Sequence, residues 1–512
     1  MQLSLHPIGK QDQTGYSSAM STFDNSKNKK QGSHDTVPPP NLISFMLKSW
    51  KPKATKRVAA LKNAEYFQAR RQALSAKFPG EWLIIPTGHL KIRSNDQHYK
   101  FRANSDFFYL TGNLEPDCVL IFAPENKGHQ TILFVEPNPG KTDATFFTDR
   151  VKGELWEGAR LGVSESRDLY QIPDCRSLNE LEYYCSENVK TSSRPFRILR
   201  GNSSQLENWM NSQGGDPLEK DKILAATLSE MRLLKDKAEI KELALVIDAT
   251  KRGFEDVISR LKTAKSEREL EGVFFTRARV EGNDVGYSSI VASGAHACTL
   301  HWNKNNGKIQ KGDLLLLDAG IEGNSLYTAD ITRTLPISGK FTTEQLEIYE
   351  LVLAAQRAGL KEVRPGNDFM APNVAAMKVL AEGLEKVGIL STTAEEALKD
   401  ENQFYKRYSL HNVSHMLGID VHDCAAARAE NYKYGQLLPG MVLTVEPGLY
   451  FQLDDLTVPV KYRGIGIRIE DDIVVTEKGF KNLSEHIPTE AKEIEKWMKS
   501  LWGKSSSRQK PL

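Results

Sequence analysis

The sequence predicts an α/β (α+β) protein of two domains, and three observations lead there. The chain has 512 residues, more than one domain of ordinary size holds. Helical periodicity alternates with β-branched, apolar runs up to about residue 225. A second set of helices and strands follows, with helices that open on capping sequences. Apolar residues make up 40% and charged residues 26% of the chain, enough to bury large cores in an ordinary globular protein. Lys and Arg (68) nearly cancel Asp and Glu (66), leaving +2, so bulk charge gives no push towards a nucleic-acid partner.

Residues 1 to about 55 are rich in Gln, Ser, Asn and Lys and carry Pro38-Pro39-Pro40. Too little apolar surface is available there to offset the entropy of ordering, so a tail is expected. Within it, residues 42–47 form the one stretch able to dock as a helix. A helical pattern from Arg57 to Phe78 stops at Pro79-Gly80, which cannot comfortably continue it. Strands are expected at residues 82–86, 119–123 and 131–135, so an N-terminal α/β domain spans residues 56–230. A charged amphipathic helix over 231–261 opens a second domain, residues 231–502. Ser266 with Glu269, and Thr342 with Gln345, each read as a capping box, which satisfies exposed backbone N–H groups. Strands are expected at 313–318, 441–445 and 465–476, and residues 503–512 read as a second tail.

Five scattered cysteines and no Cys-x-x-Cys argue against a disulfide framework and a zinc knuckle. A reducing, cytoplasmic setting fits such usage. Residues 1–30 lack the apolar core of a signal peptide. No uninterrupted apolar run reaches the roughly 18 residues a bilayer crossing needs, so no membrane partner is expected.

The chemistry gathers in the second domain. Residues 312–320 read as a buried strand ending at Asp318-Ala319-Gly320, and Asp330 begins Asp330-Ile331-Thr332-Arg333-Thr334. Gly323-Asn324-Ser325 between them supplies turn chemistry. A hairpin would bring the two acids close together; a lone Asp near a strand end is more often a cap or turn residue. Three of the eleven histidines, His411, His415 and His422, follow within one short segment. His411 and His415 share a face in either helix or strand, yet the Glu of a His-Glu-x-x-His motif is missing. Any one of them could instead be a hydrogen-bonded core residue. Glu446 ends the apolar run Val442-Leu443-Thr444-Val445, and Glu470 sits in Ile467-Arg468-Ile469-Glu470. Alternation turns Arg468 and Glu470 to one face, and an acid on so apolar a strand needs a counter-charge. An arginine or a metal would supply it.

These runs resemble the signatures of the pita-bread metallopeptidases, most closely the aminopeptidase P family. Phe101-Arg102-Ala103-Asn104-Ser105-Asp106 and Leu155-Trp156-Glu157-Gly158 in the first domain are similar to that family as well. The resemblance covers roughly residues 60–500. It implies an N-terminal α/β domain followed by a pita-bread catalytic domain. Two divalent ions, manganese-like given mostly oxygen ligands, would sit between Asp318, Asp330, His415, Glu446 and Glu470, with Asp330 and Glu470 bridging. Water held between them would lose its proton and attack the peptide. The implied activity is release of the first residue from peptides with proline second. His301 and His422 would bind the reacting carbonyl, with His411 and Arg468 in support. Trp156 would reach a neighbouring subunit's site in a homo-oligomer, dimer or tetramer.

The Asp318–Asp330 interval is one residue longer than the family spacing. Placed in the turn, the extra residue leaves both acids in position; placed within a strand, it would flip one to the other face. A prolidase acting on Xaa-Pro dipeptides is the neighbouring alternative, and a non-catalytic peptide-binding module of the same fold is a more distant one.

Overall fold

Two units make up the chain in a computed structural model, which describes residues 37–51, 57–212 and 218–508, with side chains described as far as Gly503. The first unit is built from the described residues of 71–107 and 113–221, with those that precede Glu65. The second begins at Lys222 and takes in two short pieces, Glu65–Arg70 and Phe108–Gly112. Most of the expected N-terminal tail lies outside the described residues. Within it, Pro40–Met46 is a short helix with proline in its first turn, where the missing N–H costs nothing. The pattern starting at Arg57 becomes helical only at Ala64, because Asn63 takes a left-handed φ of 63°.

The first unit holds a five-stranded mixed sheet. Its strands are β1 (Trp82–Pro86), β2 (Val119–Pro124), β3 (His129–Val135), β4 (Asp174–Ser177) and β5 (Phe196–Ile198), in the order β4-β3-β2-β1-β5. The central pairs are antiparallel, while β4 and β5 join the edges in parallel. Every residue of β1 is buried, as expected where both faces of a strand are covered. Ile84, Ile121, Ile132, Phe134 and Ile198 pack with Cys185 and Met210 into one core.

The second unit replaces one large sheet with four small ones, of which the pair Asp284–Val285 with Ile321–Glu322 is the shortest. Strand β6 (Ile290–Ser293) and β8 (Ile331–Pro336) flank β7 (Leu314–Ala319); β9 (Val442–Val445) and β13 (Gly479–Asn482) flank β12 (Asp471–Thr476); β10 (Gly448–Tyr450) pairs with β11 (Gly466–Arg468). Helices Lys237–Leu261, Glu267–Glu281, Thr343–Glu362 and Ala371–Lys386 belong to the same unit.

Three expectations are corrected. The helix read across 231–261 is two helices, Leu218–Leu233 and Lys237–Leu261. Asp236 breaks it by capping: its carboxylate accepts from the Ala238 and Glu239 N–H groups, and Glu239 returns the favour to the Asp236 N–H. The strand read across 465–476 is also two, and its break faces Pro447, which lies between β9 and β10 and has no N–H for the ladder. The chain pairs with β10 as far as Arg468 and with β9 from Asp471. Glu446 and Glu470 therefore stand at facing interruptions. Finally, helix Ala491–Arg508 runs past Gly503 into the segment read as a tail. All five cysteines are free. Among the described residues, no helix is long and apolar enough to cross a membrane.

Candidate metal centre

Strand β7 pairs with β8 so that Asp318 faces Thr332 and Ala319 faces Ile331. Asp330 thus lies just beyond the ladder and not opposite Asp318. The intervening turn is irregular: Gly323 N–H donates to the Tyr327 carbonyl, and Leu326 takes a φ of 60°. The β7–β8 register itself runs without a shift from Leu314–Pro336 to Ala319–Ile331. The Tyr287 hydroxyl touches both acids, 2.6 Å from Asp318 Oδ1 and 2.5 Å from Asp330 Oδ1.

The other groups arrive from the facing interruptions and from the segment after His411. Ligand atoms of Asp330, His415 and Glu470 all lie within 4.8 Å of one another. His415 Nε2 is 3.2 Å from Asp330 and 3.4 Å from Glu446. Arg468 Nη2 lies 2.5 Å from Asp318 Oδ2, and its Nε is 4.0 Å from Glu446. Thr332 Oγ1 donates to Glu470 at 2.6 Å and accepts from Arg468 Nε at 3.2 Å. So Arg468 and Glu470 do converge, although a break in the strand separates them. All five expected ligands share one pocket of charge.

Four carboxylates crowd this pocket against one guanidinium. Burial, then repulsion from Asp330, Glu446 and Asp318, pushes the Glu470 carboxyl well above its ordinary range. Burial likewise lifts Glu446 to about 7, partly offset by His415 and Arg468, and raises Asp318 against the pull of Arg468. Burial alone would lower His415, but its bond to Asp330 and the charge of Glu446 carry it up to about 9. Glu470 Oε1 is buried without a hydrogen-bond partner. Carboxylates in such surroundings call for added positive charge, and the donor set of oxygens and one imidazole suits hard or borderline divalent ions.

His411 is held neutral. Arg468 Nη1 donates to the Tyr450 hydroxyl at 2.8 Å, and that hydroxyl lies 2.7 Å from His411 Nε2. With the Tyr450 proton directed at Nε2, the imidazole keeps its own proton on Nδ1, 2.9 Å from the Asn412 carbonyl. Burial and the Arg468 charge pull its pKa to about 4. The His422 ring meets His415 edge-on, centroids 4.5 Å apart, and burial with the His415 charge lowers its pKa as well. His301 is exposed on its loop, close enough to press electrostatically on His411 and His422. Trp156 belongs to the first unit; it is 48% exposed, its N–H bonds the Phe147 carbonyl, and the Arg150 guanidinium lies over its ring.

Tyr287, Thr332 and Tyr450 were not singled out from the sequence. Thr332 and Tyr450 do stand beside the acidic runs, at the second residue after Asp330 and the fourth after Glu446. Tyr287 carries no comparable mark.

Comparison with known proteins places residues 241–477 in a match to metallopeptidase family M24 and residues 67–196 in a match to the aminopeptidase P N-terminal domain. The chain is 48% identical over 481 residues to Xaa-Pro aminopeptidase 1 of Streptomyces coelicolor, covering 93% of this chain and 95% of that one. It is 33% identical to Xaa-Pro aminopeptidase 3 of Rattus norvegicus, over 81% of this chain and 80% of the relative. A solved structure of Escherichia coli aminopeptidase P with the inhibitor Pro-Leu superposes with a TM-score of 0.77 at 32% identity, covering 86% of this chain and 99% of that chain.

Proposed function

Since this chain belongs to metallopeptidase family M24, as an Xaa-Pro aminopeptidase of the aminopeptidase P type, we propose that Asp318, Asp330, His415, Glu446 and Glu470 hold two divalent ions at its active site. The observation that carries this is the cluster of four buried carboxylates around the Asp330–His415–Glu470 triad, which Arg468 and His415 offset only in part. Asp330 and Glu470 would serve both ions, Asp318 would serve one, and His415 and Glu446 would serve the other. Oxygen-rich donors favour manganese. Bound there, the ions would act as Lewis acids and make a water nucleophilic at neutral pH.

The protein's own groups do the rest. Tyr287 and Arg468 orient the Asp318 and Asp330 carboxylates, as outer hydrogen bonds do in metal sites. His301 and His422 bind the reacting carbonyl and stabilise the oxyanion that develops on it. His411, neutral through its bond to Tyr450, faces the substrate as a support. Proline at the second position has no N–H to offer, so recognition falls on the free amino terminus and the ring.

We assign residues 56–230 to the N-terminal domain and 231–502 to the catalytic domain. Five unpaired thiols favour a cytoplasmic setting. Trp156, half exposed, is assigned to a neighbouring subunit's site in a dimer or tetramer. Turnover of Xaa-Pro-Xaa, Xaa-Pro and Xaa-Ala-Xaa peptides tests the substrate reading. Release of the first residue from Xaa-Pro-Xaa supports it; hydrolysis of dipeptides alone would make the enzyme a prolidase.

A further inference from the structure

His301 stands on residues 293–307, a stretch whose only regular element after β6 is the 3₁₀ turn Gly294–Cys298. A group that touches a reacting carbonyl has to be held, and the holding group here is Glu267. It is the first residue of helix Glu267–Glu281, directly after its Ser266 cap, and it is fully buried. Its Oε1 accepts from the Ser293 N–H at 2.8 Å and from His296 Nδ1 at 2.8 Å. Its Oε2 accepts from Trp302 Nε1 at 2.9 Å and from the Gly307 N–H at 2.6 Å. A carboxylate offers about four lone-pair sites, and all are used.

The four donors bracket His301, two before it and two after. The His296 and Trp302 rings also stack, with centroids 3.9 Å apart and an interplanar angle of 24°. The Glu267 N–H donates to the Gly307 carbonyl at 3.0 Å, closing the far end of the loop. Gly307 must lack a side chain, since a Cβ would fall 2.5 Å from the His296 ring and 2.7 Å from Glu267 Oε1. A helix-opening acid would ordinarily face solvent and favour the helix dipole. This one turns inward and spends every acceptor on the loop that bears His301.

We propose that Glu267 is a positioning residue for catalysis: its carboxylate, acting through His296, Trp302 and the loop backbone, sets where the His301 imidazole stands. The inference rests on His301 binding the reacting carbonyl, as proposed above.

A double-mutant cycle on the metal-loaded full chain tests it, with Xaa-Pro-Xaa turnover, metal content and melting temperature measured for each variant. Glu267→Gln keeps the shape but puts an NH2 where two donors point. It should lower kcat/KM roughly 10²-fold, the cost of a misplacement near 1 Å, with metal content unchanged. In the His301→Ala background the same change should cost less than about threefold, because the group being positioned is gone. An equal loss in both backgrounds would overturn the proposal and leave Glu267 a general support. Wild-type turnover by His301→Ala alone would instead sink the reading of His301 itself. If Glu267→Gln fails to fold, Trp302→Phe removes one donor and keeps the stack. It should lower turnover severalfold only where His301 is present, and an equal loss without His301 again overturns the proposal.

Discussion

Replacing Arg333 by methionine should unsettle the catalytic unit more than almost any other single change away from the proposed ligands. The guanidinium is fully buried and uses all of its N–H groups. Nε donates to the Pro488 carbonyl at 2.8 Å; Nη1 donates to the carbonyls of Thr332 at 2.9 Å and Glu470 at 2.5 Å. Nη2 donates to Asp471 Oδ1 at 2.7 Å and the Ile487 carbonyl at 2.9 Å. Methionine fills much of the volume but leaves Asp471 with only neutral donors, Gln356 and Ser484. Breaking a buried ion pair from one side costs about 3–5 kcal/mol, and the abandoned carbonyls add to it. The expected loss is therefore at least about 3 kcal/mol. Arg333→Lys keeps the charge but has three donors in place of five and should fall between the two. The assay is urea inactivation at equilibrium, followed by peptide turnover after brief dilution, which reports the unit that holds the site. A methionine variant within about 0.5 kcal/mol of the parent, the range of an ordinary surface change, would refute the reasoning.

Tyr287→Phe removes the hydroxyl shared by Asp318 and Asp330, and metal affinity should fall about 10- to 100-fold, as for other outer partners of metal ligands; equilibrium dialysis against graded manganese measures it. Asp423 is buried beside Arg232 and Lys235, which outweigh the upward push of burial and hold its pKa at about 2. Its folded pKa lies below the ordinary 3.8, so its stabilisation is complete above that value and is lost as pH falls towards 2. Asp423→Asn should therefore be less stable at neutral pH and show a flatter melting-temperature profile between about pH 5 and pH 2; an unchanged acid slope would contradict the assignment.

How much of this could be read from the residues depends on how far each signal travels along the chain. Strand β7 was legible because Leu314-Leu315-Leu316-Leu317 is a run of apolar residues that only a covered strand explains. Asp318 and Glu446 stood out because each closes such a run, and Glu470 because it interrupts one; Asp330 opens a mixed run and stood out only by its place across the turn. The break at Asp236 was hidden: Leu233 and Leu234 continue the apolar spacing, and the Asp236–Glu239 box competes with it only locally. The split after Arg468 was hidden for another reason, since Pro447, which faces it, lies between two other strands. Tyr287 meets Asp330 across 43 residues, a contact set by tertiary packing. Glu267 reads as a helix-opening acid beside a capping serine, and nothing local reveals that it turns inward.

The most direct test of the central claim is the number of divalent ions bound per chain after stripping and reloading, with turnover of an Xaa-Pro-Xaa peptide measured on the same samples. The parent should bind two ions and be fully active. Removal of either proposed bridging ligand, in Asp330→Ala or Glu470→Ala, should abolish activity together with the binding of both ions. Undiminished turnover by the metal-free protein, or two ions retained in both variants, would contradict the claim.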